Sequence, residues 1–208
     1  MKSIENLKWR YATKKFDAEK RIPEQLLNIL VESFNLTATS YGLQPLHLVV
    51  VSDQEVKNSM IEASYGQRQV ADASEVLVLC TKQVDTAFIE NYFNLVKKVR
   101  STPDEVLAPF KDQLTSSFST KTNEEIFQWA KNQAYIALGN LMAVCAQERI
   151  DSCPMEGFIP DRIDEILDLK KQNLRSVLLL PVGYRHQEDM FAIMKKVRRS
   201  QQEMVSHV

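Results

Sequence analysis

Two groups of basic side chains, one near each end of the 208-residue chain, are the strongest candidates for binding an anion. Residues 1–21 contain seven basic and three acidic side chains. Lys195, Lys196, Arg198 and Arg199 lie within five residues near the other end. Groups far apart in sequence can meet in the fold around one anion. The alternative, two separate solvated surfaces, is what charge alone favours.

Most familiar catalytic arrangements are missing from the sequence. His47, His186 and His207 are not spaced for a metal with another ligand, and the three cysteines form no metal or redox motif. We therefore predict no metal site and no catalytic side chain. The five glycines are too far apart for a phosphate loop of the Rossmann or Walker type. An enzyme without such motifs often takes its chemistry from a cofactor. Side chains and isolated backbone amides must then hold the phosphate of that cofactor.

Four segments, in order along the chain, carry a family resemblance. They are residues 10–17 (RYATKKFD), 39–45 (TSYGLQP), 154–158 (PMEGF) and 196–198 (KVR). Each resembles, in order and approximate spacing, a motif of the nitroreductase and flavin reductase family. Residues 66–74 and 137–140 are weaker matches of the same kind. The resemblance runs from about residue 3 to residue 199.

The resemblance implies an FMN-binding protein with NADH or NADPH as electron donor. It implies that Arg10, Lys196 and Arg198 hold the FMN phosphate, for which the planar fork of arginine is well suited. By the same resemblance Lys14 lies near N1 and O2 of the flavin, where a cation stabilises the reduced anion. Gln69 stands where many relatives have a second basic or amide side chain, and as an amide it adds no charge.

Backbone amides complete the implied cofactor site. In the family, the segment that matches Glu156 and Gly157 hydrogen-bonds flavin N5 and O4; Gly157 allows close backbone approach and Pro154 stiffens the entry. An ordinary turn between a strand and a helix is the alternative for this segment taken alone. The expected cofactor-binding residues are Arg10, Tyr11, Ala12, Lys14, Thr39, Ser40, Gly42, Gln69, Pro154, Met155, Glu156, Gly157, Lys196 and Arg198.

The loop at residues 39–42 implies an assembly of two chains. In relatives this loop crosses from the partner subunit onto the flavin, so the resemblance implies an intertwined homodimer with FMN sites at the interface. Two positions depart from the family pattern. Gly42 stands where several relatives have Asn, and Ala12 stands where several have Ser. Neither change removes a charge, so we expect looser flavin contacts rather than loss of binding.

Apolar periodicity indicates the elements that position these segments. Helices are predicted over residues 3–11, from Pro23 onwards, and over 53–63, 122–149 and 160–169; buried strands are predicted over 46–52, 76–80 and 176–182. The longest helix begins with a capping box, Thr122 with Glu125. Its stripe of small residues suits either a core helix or a dimer helix. Residues 65–72 are predicted to be a polar loop, and 150–154 a connection or short strand.

Interleaved helices and strands indicate an α/β or α+β class. The resemblance implies the α+β class, with a nitroreductase-like fold in which helices surround a central mixed, mainly antiparallel sheet. We expect one domain over residues 1–208. Residues 85–122 form a weakly patterned helical excursion over the pocket, broken by Pro103 and Pro109, with 115–122 a polar linker. Residues 184–208 form a basic C-terminal arm.

Composition restricts the class of partner. The formal net charge is −1, so nothing global points to nucleic acid or to an anionic membrane surface. The longest apolar runs are far shorter than the roughly 20 residues of a membrane helix. There is no apolar signal region at the N-terminus, and scattered cysteines suit a reducing compartment. We therefore expect a cytoplasmic protein.

The implied function is two-electron transfer from NAD(P)H, through flavin N5, to small acceptors such as nitroaromatics, quinones and free flavins. The implied mechanism is ping-pong. Three alternatives remain open at this point. They are a non-catalytic flavin-binding or sensor protein on the same fold, an interaction protein whose basic ends bind an acidic partner, and a specialised branch that acts on a halogenated aromatic or cleaves a flavin. Residues 85–122 show no match to such a branch.

Overall fold

A four-stranded sheet forms the centre of the protein, for which a computed structural model describes residues 2–208. The strands are Leu46–Val51 (β1), Glu75–Lys82 (β2), Asp151–Ser152 (β3) and Leu174–Gly183 (β4), in the order β1-β2-β4-β3. All three strand pairs are antiparallel. Within the described residues, parallel pairing is limited to an isolated bridge between Ala12 and Ser152. The α+β class is confirmed, and the pairing between the strands is antiparallel throughout.

Helices surround this sheet. They are Lys2–Trp9 (α1), Glu24–Asn35 (α2), Gln54–Ala63 (α3), Gln69–Asp72 (α4), Thr86–Arg100 (α5), Asp104–Ser119 (α6), Asn123–Gln147 (α7), Pro160–Ile166 (α8) and Gln201–Met204 (α9). Short 3₁₀ turns cover Ser40–Gly42, Leu169–Gln172 and Met190–Ile193. The predicted capping box of Thr122 and Glu125 is present at the start of α7.

The core lies on both faces of β2, because successive side chains of a strand point to opposite sides. Val76 and Val78 pack with Met60 of α3 and Ile163 of α8. Leu77 and Leu79 pack on the opposite side with residues of α2 and α7. Of the small residues in the α7 stripe, Ala130, Ala134 and Ala137 are fully buried within the single chain, whereas Gly139 is exposed. The three alanines therefore belong to the core.

The segment between β2 and α7 differs from its prediction. Pro103 does precede a helix, as its N-cap, but Pro109 lies inside α6 and does not end it. Residues 115–119 belong to the same helix, so the predicted polar linker at 115–122 was wrong for most of its length. A proline inside a helix costs about 3 kcal/mol. Burial of Leu114 and Phe118 against Ile89 and Phe93 of α5 offsets that cost.

Smaller differences affect the ends of elements. One turn of helix, α4, lies within the predicted polar loop at 65–72. The helix predicted over 160–169 ends at Ile166. Residues 150–154 do contain a strand, the two-residue β3. No helix among residues 2–208 is long and apolar enough to cross a membrane.

The N-terminal segment that follows α1 is held at one end of the sheet. The Thr13 amide donates to the Ser152 carbonyl (3.2 Å), and the Asp17 amide donates to the Tyr184 carbonyl (2.8 Å). The Lys15 carbonyl accepts from the His186 amide at 2.9 Å. Residues 12–17 therefore lie between β3 and the chain that leaves β4. This placement brings three of the four predicted motifs to the same end of the sheet.

Candidate functional site

Three basic side chains from the two ends of the chain meet beside α1. The Lys196 Nζ donates to the backbone carbonyl of Arg10. Burial lowers the pKa of Arg10, and the positive charge of Arg198 lowers it further. Burial likewise lowers the pKa of Lys196, with further lowering from Arg10, Arg198 and Arg185. These cations repel one another, so a bound anion would relieve an unfavourable arrangement that the fold imposes.

A cleft of about 490 Å³ opens beside this cluster. Its walls come from the end of α1, the residues that follow it and the C-terminal arm. They are Lys8, Trp9, Tyr11, Ala12, Lys14, Phe191, Ala192, Met194, Lys195 and Lys196. Aromatic and aliphatic surface therefore lies next to cationic groups in one concavity, as an aromatic phosphate ester requires.

Two buried polar atoms near the cleft have no partner among residues 2–208. They are Arg10 Nε and Thr13 Oγ1, and Thr13 is fully buried. A buried donor without an acceptor is costly, so such atoms call for a ligand or ordered water. The unpaired guanidinium nitrogen and the surrounding cations together fit a phosphate group with nearly two negative charges.

Asp189 hydrogen-bonds both the N-terminal motif and the C-terminal arm, although no motif in the sequence pointed to it. One of its carboxylate oxygens accepts from the Tyr11 hydroxyl (3.0 Å), the Lys14 amide (2.8 Å) and the Lys15 amide (3.1 Å). Its other oxygen accepts from the Phe191 amide at 3.0 Å. Burial acts to raise the pKa of Asp189, but these hydrogen bonds outweigh it and the pKa is lowered. The ionised carboxylate therefore ties the N-terminal motif to the arm.

A second carboxylate supports the wall of the cleft. Asp151 of β3 is buried and forms an ion pair with Arg185 at 2.6 Å. The Arg185 guanidinium lies 4.4 Å from the ring centre of Trp9 and 4.6 Å from that of Tyr11. Planar guanidinium groups stack well on aromatic rings. The two aromatic residues of the wall are thus fixed by an ion pair that lies behind them.

The loop at residues 154–158 is anchored on both sides. Met155 exchanges backbone hydrogen bonds with Leu179 of β4, at 2.8 and 3.1 Å. The Ile159 amide donates to the Ala63 carbonyl at 2.8 Å. Within residues 2–208, the amides of Glu156 and Gly157 between these anchors donate to no protein acceptor. Two adjacent free amides in a fixed loop can hydrogen-bond a ligand.

The loop at residues 39–42 is not part of this cleft. The Ser40 amide donates to Gln133 Oε1 of α7 at 2.9 Å, and Gln44 donates to Thr39 Oγ1 at 3.0 Å. Gly42 approaches Tyr92 of α5. The single chain therefore places Thr39, Ser40 and Gly42 against α5 and α7, apart from Arg10 and Lys196. Three of the four motifs meet within one chain, and the second does not.

Gln69 and its neighbour Gln67 have different surroundings. Gln69 is the first residue of α4 and is half-buried. Gln67, which was not among the predicted site residues, donates from Nε2 to the Gly157 carbonyl at 2.8 Å. The sequence signal that could have revealed Gln67 is its place beside Gln69 in the weaker motif at residues 66–74.

The thiols near the cleft are poor nucleophiles. Cys145 and Cys153 are buried, and burial raises the pKa of both, that of Cys145 to about 12. The thiolate is the reactive form of cysteine. Among residues 2–208, no three side chains of the metal-binding types are grouped to hold a metal ion. The site therefore offers binding and charge stabilisation rather than a nucleophile.

A family model described as "Nitroreductase family" matches residues 7–184. The chain belongs to the nitroreductase family. A Staphylococcus epidermidis protein, named provisionally as an NAD(P)H nitroreductase, is 34% identical over 214 aligned residues, which cover 99% of this chain and 96% of the relative. A Staphylococcus saprophyticus protein with the same kind of name is 32% identical and covers 97% of this chain and 94% of its own length.

Solved structures show that the fold is also that of the nitroreductase family. A Bacillus subtilis protein described provisionally as a nitroreductase superposes with a TM-score of 0.87 at 21% identity, covering 99% of this chain and 98% of its own. A protein of Exiguobacterium sibiricum, crystallised in complex with FMN, superposes with a TM-score of 0.83 at 20% identity, covering 99% and 96%. The nitroreductase-like fold expected from the motifs is confirmed.

Proposed function

We propose that this nitroreductase-family protein binds FMN and transfers two electrons from NADH or NADPH to small acceptors such as nitroaromatics, quinones or free flavins. The donor and the acceptor occupy the site in turn, in a ping-pong order. The observation that carries the proposal is the convergence of Arg10, Lys196 and Arg198 beside a cleft with aromatic walls. The named relatives and the FMN complex of a structural neighbour support it.

Bound FMN would supply the hydride-accepting group, so the protein needs no nucleophile of its own. The protein's part is to bind and orient. Arg10, Lys196 and Arg198 neutralise the phosphate, and Lys14 places a positive charge where the reduced flavin becomes anionic. The free amides of Glu156 and Gly157 orient the ring edge.

The test is reconstitution with FMN followed by addition of NADH or NADPH without an acceptor. We expect a yellow protein whose flavin absorbance bleaches and returns when a quinone or a nitroaromatic is added. A colourless protein that takes up no FMN would overturn the proposal and favour the interaction protein. A yellow protein that neither nicotinamide bleaches would overturn the enzyme and favour the non-catalytic sensor.

We also propose that the active form is a homodimer in which residues 39–42 of one subunit complete the site of the other. The separation of this loop from the Arg10 cleft within one chain supports the proposal. Apolar side chains of the C-terminal arm that are largely exposed in the single chain, Ile193 and Val197 among them, also suit a subunit contact.

Mixing two inactive variants tests this dimer. Arg10→Glu disables the phosphate cluster, and Ser40→Trp blocks the loop. When the two proteins are unfolded and refolded together, we expect activity to return, because mixed dimers contain one intact site. Activity that never returns although mixed dimers form would show that each chain builds its own site.

We further propose that residues 2–208 form one domain and that the protein acts in the cytoplasm. In addition, we propose that α5 and α6 cover the acceptor side of the partner's pocket. Tyr41, in the loop at 39–45, packs against Phe110 and Phe118 of α6, with ring centres 6.4 Å away in both cases. Helices α5 and α6 therefore lie against the loop, and would accompany it to the partner's site. Phe110→Ala should change the KM for the acceptor and leave the affinity for FMN as it is; the reverse outcome would contradict the assignment.

A further inference from the structure

The Glu156–Gly157 dipeptide is held from two sides by side chains that belong to distant parts of the chain. Gln67, in the loop before α4, lies 90 residues earlier than its partner Gly157. Tyr135, on α7, donates from its hydroxyl to Glu156 Oε1 across 21 residues. Neither side chain is required by the local structure of the loop, whose backbone is already anchored through Met155 and Ile159.

The contact with Gln67 leaves little room for a side chain at position 157. A Cβ atom placed on Gly157 would lie 3.1 Å from Gln67 Nε2, closer than most real Cβ contacts. The same amide nitrogen also donates to the Ser64 carbonyl at 3.1 Å. Gln67 therefore bridges the end of α3 to the Gly157 carbonyl, which fixes the peptide plane that follows Gly157.

The contact with Tyr135 sets the direction in which the negatively charged Glu156 side chain points. Glu156 is exposed, and the hydrogen bond raises the pKa of Tyr135 to about 12. Hydrogen bonds between exposed side chains add little stability. The contact does, however, direct the carboxylate towards α7. A freely rotating carboxylate next to the free amides of Glu156 and Gly157 would bring a negative charge towards any ligand bound there.

We propose that Tyr135 and Gln67 are positioning residues with separate tasks: Gln67 restrains the backbone at Gly157, directly after the amides that orient the flavin, and Tyr135 holds the Glu156 carboxylate away from it. This inference rests on the proposed binding of FMN. A carboxylate close to the reduced, anionic flavin would destabilise that form relative to the oxidised one. Tyr135 thus keeps the midpoint potential of the flavin from falling, whereas Gln67 affects the affinity for both oxidation states equally.

Three variants separate these tasks, and potentiometric titration and FMN binding provide readouts other than activity. Tyr135→Phe should weaken the binding of reduced relative to oxidised FMN about tenfold, which is a fall in midpoint potential of about 30 mV for a two-electron couple. Adding Glu156→Gln to Tyr135→Phe should restore the potential, because the charge is removed. Gln67→Met should weaken both oxidation states about fivefold and leave the potential unchanged.

Gln128→Met is the matched control. It makes the same glutamine-to-methionine change as Gln67→Met, on α7 like Tyr135, and removes only an exposed hydrogen bond to Glu124. It should change neither quantity. A Tyr135→Phe protein with the wild-type potential, or a double variant that fails to recover it, would overturn the role of Tyr135. Unchanged FMN affinity in Gln67→Met would overturn that of Gln67. If the unmodified protein binds FMN and is reduced, the proposed function survives either result; if it takes up no FMN, both proposals fail.

Discussion

The carboxylate of Asp189 accepts a 2.8 Å hydrogen bond from the backbone amide of Lys14, 175 residues earlier in the chain. The same carboxylate oxygen also holds Tyr11 and Lys15. The backbone that presents Lys14 to the cleft is therefore positioned by a residue of the C-terminal arm. The other contacts between the two ends include the hydrogen bond from Lys196 to the Arg10 carbonyl and that from the His186 amide to the Lys15 carbonyl.

Asp189→Asn should loosen the cofactor cleft. The amide has a single acceptor oxygen and no charge, so hydrogen bonds to a charged group worth about 1.5–3 kcal/mol each are weakened or lost. We expect at least a tenfold loss of FMN affinity and a lower Tm, measured by flavin fluorescence and thermal unfolding. Glu188→Gln is the control, because Glu188 is exposed and pairs with Lys15 at the surface. Equal effects of the two variants would contradict the role of Asp189.

Acid should release the same contact. The pKa of Asp189 is lowered in the folded protein, so its contribution to stability is present above its ordinary value of 3.8 and is lost as the pH falls through the folded value below 3.8. The difference in the free energy of unfolding between wild type and Asp189→Asn should therefore shrink below pH 3.8. Urea unfolding at pH 3 and pH 6 measures it, and a constant difference would argue against an ionised Asp189.

Arg198→Gln and Lys196→Gln should weaken FMN binding and spare riboflavin binding. Each removes a cation from the phosphate cluster, and a charge-assisted hydrogen bond of about 1.5–3 kcal/mol corresponds to roughly a 10- to 100-fold loss of affinity. Riboflavin lacks the phosphate, so its affinity should stay as it is. Titration of both ligands at low salt is the measurement, with Arg199→Gln as a neighbouring control outside the walls of the cleft. If riboflavin is weakened as much as FMN, these residues do not hold the phosphate.

Gly42→Ala should destabilise the protein for two separable reasons. Gly42 has φ +71°, where a Cβ costs roughly 1–2 kcal/mol, and that Cβ would lie 2.7 Å from the Tyr92 hydroxyl oxygen. Tyr92→Phe removes this oxygen. In the Tyr92→Phe background we therefore expect Gly42→Ala to cost less, by about 1 kcal/mol in a double-mutant cycle followed by urea unfolding. Additive effects would show that the hydroxyl is not the obstacle.

Lys57 should make stability rise with pH. Its side chain is fully buried, and Nζ donates to the carbonyls of Ala73 (2.7 Å) and Ser74 (3.0 Å). Burial lowers the pKa of Lys57 to about 8 from 10.5, so the folded protein binds fewer protons than the unfolded one between those values. The free energy of unfolding should increase over this range, and Lys57→Met should lack that increase. Urea unfolding at pH 7.5 and 9.5 tests this, with the exposed Lys98→Met as control.

The sequence determined the local features of the fold. Short continuous apolar runs located β1, β2 and β4, because a strand buried on both faces carries apolar side chains at every position. A capping box located the start of α7, because it reflects contacts within a few residues. The break in the helix that the sequence predicted at Pro109 was wrong. There the local cost of a proline in a helix is outweighed by burial of Leu114 and Phe118, and periodicity alone does not show how well a partner helix fits.

The sequence also allowed residues of the candidate site to be named, whereas the arrangement of those residues required the tertiary structure. Arg10, Lys196 and Arg198 could be named from their motifs, since a phosphate requires cations wherever they lie in the chain. That the 39–42 loop faces α5 and α7 instead of the cleft follows only from tertiary packing. Asp189, Gln67 and Tyr135 were likewise found only in the structure. Each acts on a residue at least 21 positions away, and such pairs are chosen by how helices and strands pack rather than by any neighbour in sequence.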